Sequence, residues 1–337
     1  MSQTLKIAIP MAGYGSRMRP QTWNKPKVLL PLAGGTVLDH FLRQFNTLPA
    51  DLEKEYIFIV SPFQLEQVQA YINEHYSHLR AQWVVQEIMR GQSDALWNAR
   101  QYLKGPMLMT FSDTLVETDL SNLTSETLDG IAWVKRIEDP RSFGVAEVNP
   151  SGRITRLVEK PQEITNNLVV VGFYYFRSAE ALLDAIQEQF SRSLSLNNEF
   201  FLADAVNVML DRGQEFRVEE VDLWLDAGKP ATILETNAWL LAHGRDNTAE
   251  AALRPGVALV PPVYIHPDAQ VEASVVGPHV SIGAGCVLKN VVIQNSILDS
   301  GTRLENIVLA DSLIGRNTSI SGAVQHFNLG DTSMVKA

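Results

Sequence analysis

A chain of 337 residues exceeds the usual size of one domain and predicts two, and a hydrophobic content of 45% is enough to bury real cores. The formal net charge of −10, from 28 Lys and Arg against 38 Asp and Glu, argues against a general nucleic-acid binder and makes any locally basic segment conspicuous. The one cysteine, Cys286, excludes an internal disulfide and a cysteine-built metal cluster, and the lack of an apolar leader or membrane-length run predicts a cytoplasmic protein with no membrane partner.

The first predicted element is a short buried strand at 7–10, which runs into a glycine loop crowded with cations. Gly13 and Gly15 permit backbone angles and a close approach that side chains would block, so the loop's N–H groups can face oxygen anions. Arg17 and Arg19 add planar forks suited to phosphate, and Lys25 and Lys27 bracket the stiff Pro26. A dinucleotide fingerprint needs a third glycine where Met18 stands, and a Walker loop needs G-K-[ST], which is absent. The segment instead resembles the signature of the sugar-1-phosphate nucleotidyltransferases, G-x-G-[ST]-R-[LM]-x-P-x-T followed by P-K. Here it reads Gly13, Gly15, Ser16, Arg17, Met18, Pro20, Thr22, Pro26 and Lys27. The resemblance implies that Ala12, Gly13, Gly15 and Ser16 bind the nucleotide and that Arg17 and Lys27 are catalytic.

Apolar runs then alternate with helical patterns: strand at 56–60, helix at 64–75, strand at 82–85, helix at 94–103, strand at 107–111. That alternation predicts an α/β fold, a Rossmann-like and mainly parallel sheet with ligands at the carboxyl ends of its strands. Gln86 follows one strand and offers a donor and an acceptor to a pyrimidine edge, while Gly91 lets the backbone approach the ring and Ser93 reads as a helix cap. The stretch is similar to the family's Q-x(4)-G-T-A-x-A-[LV], whose Gln and Gly contact the base. Asp113 follows the strand at 107–111 and Asp226 the apolar run at 221–225. Magnesium takes one or two carboxylates plus substrate phosphates and water, and these two fit that need. The resemblance implies the same, since the matching family positions hold Mg2+.

The middle third predicts a sugar-phosphate pocket. A strand at 143–148 carries Gly144 at its entry, and one at 154–158 delivers Glu159 to accept sugar hydroxyl protons and Lys160 to hold a phosphate. These runs are similar to the family's F/Y-G-V and E-K-P motifs, and 169–174 with Gly172 resembles its next sugar-side strand. The resemblance implies that Gly144, Glu159, Lys160 and Gly172 bind the sugar phosphate, with Glu199 and Asp204 of E-[YFL]-x-[LI]-x-D as weaker candidates.

A helix at 230–241 with Pro230 in its first turn closes a catalytic domain of 1–243, and 244–256 reads as linker. From 257 one aliphatic residue recurs every five or six: Ile265, Val271, Val276, Ile282, Leu288, Ile293, Leu298, Leu304, Leu309, Ile314 and Ile320. That is hexapeptide spacing and predicts a left-handed parallel β-helix of about four coils over 257–325, then a tail at 326–337. Such a domain implies packing of its open ends on the first domain or in a homo-oligomer. It also raises acyl transfer, with His266, His279 and His326 as candidates.

The whole pattern resembles the longer glucose-1-phosphate thymidylyltransferases, with uridylyl transfer as the close runner-up and adenylyl or guanylyl transfer suggested by Asp94-Ala95-Leu96. It implies a nucleoside triphosphate and a sugar 1-phosphate as partners, Mg2+ as cofactor and no nucleic acid. A sensor that binds sugar nucleotides without turnover would lack cations or carboxylates, and Arg17, Lys27, Asp113 and Asp226 are all present.

Overall fold

The computed structural model describes residues 4–164 and 166–323. Among these the contacts separate two compact units: the first takes in residues up to Leu30 and Thr36–Thr232, the second Pro31–Gly35 and residues from Ile233 onward.

The first unit is built on a nine-stranded sheet. Leu5–Pro10 lies at its centre, parallel to Lys54–Val60 on one side and Met107–Thr110 on the other, with Ala81–Val85 parallel at the edge. Ile7, Ala8, Ile9, Ile57, Phe58 and Ile59 are all fully buried. Helices on both faces explain why these strands read as continuous apolar runs. The parallel order predicted from the alternation is present in this N-terminal part. Leu168–Phe176, buried along its whole length, then runs antiparallel to Met107–Thr110, Gly130–Arg136 and Gly144–Val148. Residues 149–153 alone join Gly144–Val148 to Ile154–Glu159, too few for a helical crossover, and that pair is antiparallel as well.

The helix Pro62–His75 begins with proline, and the Gln64 side chain accepts from the Ser61 N–H ahead of it at 3.1 Å. The helix expected at 94–103 is Gln92–Asn98; beyond it the backbone bonds tighten to three-residue turns, the Arg100 N–H to the Trp97 carbonyl at 3.2 Å and the Tyr102 N–H to the Ala99 carbonyl at 2.9 Å. Ser93 is inside that helix rather than capping it, and its hydroxyl donates to the Phe201 carbonyl at 3.2 Å.

The second unit is a stack of parallel coils. Val271 pairs with Leu288, Leu288 with Leu304 and Leu304 with Ile320, so the coil repeat is seventeen residues at first and then sixteen. Ile265 through Leu304 of the aliphatic series are buried in its core, and Leu309, Ile314 and Ile320 pack against it half-buried. Asn290, Asn295, Asn306 and Asp311 turn the corners with positive φ, which Asn and Asp tolerate best among side chains. They stack between coils, Asn290 on Asn306 at 3.0 Å and Asn295 on Asp311 at 2.6 Å. Within the span expected as linker, Thr248–Ala251 is a short helix whose Ala251 is buried in the coil core.

Pro31–Gly35, close after the signature lysine in sequence, belongs to this unit. The fully buried Asn237 accepts from the Ala33 N–H at 3.0 Å and the Ser281 hydroxyl at 2.7 Å, and donates to the His279 carbonyl at 3.2 Å. Gly34 lies against the Tyr264 ring, where a Cβ would fall 2.5 Å from a ring carbon.

Candidate active site

The glycine loop leaves the carboxyl end of Leu5–Pro10. Gly15 sits in the left-handed region at φ 61°, and the Thr22 hydroxyl donates to its carbonyl at 2.8 Å. The buried Gln64 amide donates to the Gly13 carbonyl at 3.0 Å, while its own oxygen accepts from the Ser61 N–H at 3.1 Å. A Cβ on Gly13 would meet nothing within 4 Å, so the loop is open on that side. After Gly15 the chain makes only one tight turn, Ser16–Met18, in which Met18 is fully buried and Arg17 exposed. A turn this short has little macrodipole.

Two carboxylates face this loop. Asp113 follows Met107–Thr110, and Asp226 ends Leu223–Asp226, which pairs antiparallel with Thr114–Glu117. The Ala227 N–H donates to the Asp113 carbonyl at 3.1 Å and ties the two turns together. A Cβ built on Gly228 would lie 2.8 Å from Asp226 Oδ1, 3.3 Å from Asp113 Oδ2 and 3.4 Å from Arg17 Nη2. Three charged groups thus converge on the space that a glycine leaves open. The Lys27 ammonium hydrogen-bonds Asp113. Burial alone would raise the Asp113 carboxyl, but the charge and hydrogen bond of Lys27, with the charge of Arg17, hold it below its ordinary value. Asp226 accepts from the Gly228 N–H at 3.0 Å and the Thr232 hydroxyl at 2.7 Å.

A cavity of about 540 Å³ opens beside this cluster, and its lining includes Arg17, Asp113, Glu159, Lys160, Asp226 and Lys229. Gly144 and Gly172 also line it, as does Glu199. Glu159 ends its strand with its carboxylate 3.0 Å from where a Gly144 Cβ would sit. Burial pushes the Glu159 carboxyl up to about 7, and the charges of Asp204 and Glu199 add to that against the pull of Lys160. Lys160 takes a positive φ of 47°, and its ammonium lies 4.5 Å over the Phe201 ring. Gly172, at φ 77°, has a packing reason of its own: a Cβ would fall 2.2 Å from the Phe111 ring.

Gln86, Gly91, Ala12, Gly13, Gly15 and Ser16 are not among the residues lining this cavity. Gln86 is buried at 4% exposure after Ala81–Val85, and its amide nitrogen donates to Asp94 at 2.9 Å. Gly91 is required by its neighbour, since a Cβ would lie 2.5 Å from the Phe200 carbonyl oxygen. His266 accepts from the Asp268 N–H at 3.2 Å, and the His279 carbonyl serves Asn237; His326 lies outside the described residues. Sequence reasoning missed Lys229 and Gln64. Lys229 shows only as a cation three places after Asp226, and Gln64 shows only as a capping-box residue, with no sign that it holds the Gly13 carbonyl.

The family model described as Nucleotidyl transferase matches residues 8–243, well over half of the chain. The chain belongs to the nucleotidyl transferase family. Within it, the chain is 28% identical over 227 residues to the bifunctional protein GlmU of Methanococcus vannielii, covering 64% of this chain and 50% of that protein. It is 24% identical over 216 residues to the UTP–glucose-1-phosphate uridylyltransferase AglF of Haloferax volcanii, covering 62% of this chain and 85% of the relative. The chain spans about half the length of the GlmU proteins it matches. In fold, this nucleotidyl transferase is similar to a nucleoside-diphosphate-sugar pyrophosphorylase from Vibrio cholerae, with a TM-score of 0.59 at 20% identity over 68% of this chain and 98% of that one. It is likewise similar to a UDP-glucose pyrophosphorylase solved with UDP-glucose, with a TM-score of 0.60 at 18% identity over 72% of this chain and all of that one. No helix of the described residues is long and apolar enough to cross a membrane.

Proposed function

We propose that this protein transfers a nucleotidyl group from dTTP or UTP to a sugar 1-phosphate, glucose 1-phosphate first, and releases pyrophosphate. The observation that carries the reading is the convergence of Arg17, Asp113 and Asp226 on Gly228, beside a cavity whose wall holds Glu159 and Lys160. A sugar 1-phosphate is already mostly a dianion at neutral pH, so no strong base is needed to make its oxygen nucleophilic. The obstacle is repulsion between two anions. The phosphate oxygen bonds to the α-phosphorus as the bond from that phosphorus to the departing pyrophosphate breaks, and positioning with cations is the chief help.

Arg17 grips the triphosphate tail and the leaving pyrophosphate, and Lys27 holds the phosphates as charge develops. Ala12, Gly13, Gly15 and Ser16 line the triphosphate loop, and Gln86 and Gly91 meet the base. Lys160 holds the sugar's phosphate, Glu159 accepts its hydroxyl protons, and Gly144 and Gly172 line the same pocket. Asp113 and Asp226 would hold Mg2+. They converge, and the described residues offer no group of three or more metal-binding side chains, so substrate oxygens and water would complete the shell. When bound, the ion neutralises charge on the transferring phosphate. This chemistry we assign to residues 1–243.

The test is a panel of nucleoside triphosphates against glucose, N-acetylglucosamine and mannose 1-phosphates, read as pyrophosphate release. Turnover dependent on both substrates is expected. Tight binding of sugar nucleotides without pyrophosphate release from any pair overturns the reading in favour of a sensor.

A further inference from the structure

The base side of the site carries a polarity of its own. Gln86 is held at both ends: its backbone N–H donates to the Val60 carbonyl at 2.8 Å, and its side-chain nitrogen donates to Asp94 Oδ2 at 2.9 Å and, more weakly, to the Gly91 carbonyl at 3.4 Å. Asp94 is itself 2% exposed. Its Oδ1 takes the Arg90 guanidinium at 2.6 and 3.1 Å, and its Oδ2 also accepts from the Asn98 amide at 3.2 Å. Arg90 balances the buried charge, and every bond Asp94 makes is one it accepts.

A carboxylate can only accept, so the end of the Gln86 amide that faces Asp94 has to be the nitrogen. A primary amide carries two N–H groups, and here Asp94 and the Gly91 carbonyl take one each. What remains for a ligand is the carbonyl oxygen, an acceptor with nothing left to donate. An ordinary glutamine could swing either way to suit either kind of base. This one cannot without breaking a buried hydrogen bond to a charge, which costs more than a neutral one.

We propose that Asp94 is a positioning residue that makes Gln86 an acceptor only, and that the site therefore selects bases with a ring N–H. Uracil and thymine carry that hydrogen at N3 and guanine at N1. Cytosine and adenine carry a lone pair there, which would face the Gln86 oxygen with no proton between them. The inference rests on the reading in which Gln86 meets the base, and it adds to that reading the source of the discrimination.

UTP and CTP differ only at this edge, so their ratio of kcat/KM is the measurement. The wild-type protein is expected to favour UTP over CTP by about 100-fold or more, as sites that hydrogen-bond a substrate group reject analogues lacking it. Asp94→Asn keeps the size of the side chain but can donate as well as accept, and frees Gln86 to turn over. It is expected to lower the UTP to CTP ratio by about tenfold or more, mainly by raising CTP use; Asp94→Ser gives the same result by an independent route. In a Gln86→Leu background the Asp94 substitutions should leave the ratio unchanged. A purely structural role for Asp94 would depress both nucleotides alike and keep the ratio, which overturns the proposal. So does a wild-type preference for CTP or ATP, a result that needs no variant. Failure of the enzyme reading looks different, since no nucleotide then releases pyrophosphate at all.

Discussion

Replacing Glu159 with Gln should stabilise the protein and impair its use of sugar phosphate at the same time. The Glu159 carboxyl is moved from an ordinary 4.5 to about 7, first by burial and then by the neighbouring charges of Asp204 and Glu199, with Lys160 opposing. Below about pH 4.5 the folded and unfolded chains both hold the proton, and the group contributes nothing. Between about 4.5 and 7 the unfolded chain has released it and the folded chain has not, so the unfolded state binds fewer protons and stability falls as pH rises. Above about pH 7 the full cost stands. At 1.36 kcal/mol per pH unit the displacement is worth about 3 kcal/mol. Gln cannot ionise and escapes this cost. Urea unfolding should place Glu159→Gln about 3 kcal/mol above the wild-type protein at pH 8, with the gap shrinking below about 1 kcal/mol at pH 5. The same substitution should raise KM for the sugar 1-phosphate, because a carboxylate accepts sugar hydroxyl protons more strongly than an amide. Equal stabilities of the two proteins at pH 8 would refute the argument that burial in this wall strains the charge.

Arg17→Ala should fold normally, since the side chain is exposed, while turnover drops about 10²- to 10³-fold, as expected for a lost cation at developing charge; near-full turnover would sink the assignment. Gly228→Ala puts a methyl 2.8 Å from Asp226 Oδ1 and 3.3 Å from Asp113 Oδ2, and should remove most pyrophosphate release and weaken Mg2+ activation while the melting temperature moves little. An unchanged magnesium requirement would show that the two carboxylates do not act together. Asn237→Ala leaves the Ala33 N–H and the Ser281 hydroxyl unpaired in a dry core and should cost about 3 kcal/mol in urea unfolding; a loss under about 0.5 kcal/mol would mean that other groups take up both donors.

Much of the fold is legible in one sequence because its periods are distinct. Short unbroken runs such as Ile7-Ala8-Ile9, bounded by turn residues, fit strands covered on both faces, and the sixteen-residue spacing of Leu288, Leu304 and Ile320 is the coil register itself. Helix ends were less legible. Past Asn98 the chain goes on in three-residue turns, and no propensity shows that. The antiparallel middle of the sheet was hidden for a related reason, since a strand's direction depends on its neighbours in space.

What the sequence by itself determined is the inventory of chemistry: an ordered run of glycines and cations, two carboxylates placed after apolar runs, and an aliphatic repeat with hexapeptide spacing. Those follow from residue type and spacing along the chain. The tertiary structure alone decided which groups meet. It brought Arg17, Asp113 and Asp226 together around Gly228 from three distant segments, seated residues 31–35 in the second unit, and tied the Gln86 amide to Asp94. The reason is physical: hydrogen bonds and charge effects fall away within a few ångströms, and the sequence does not contain those distances until the sheet has set them.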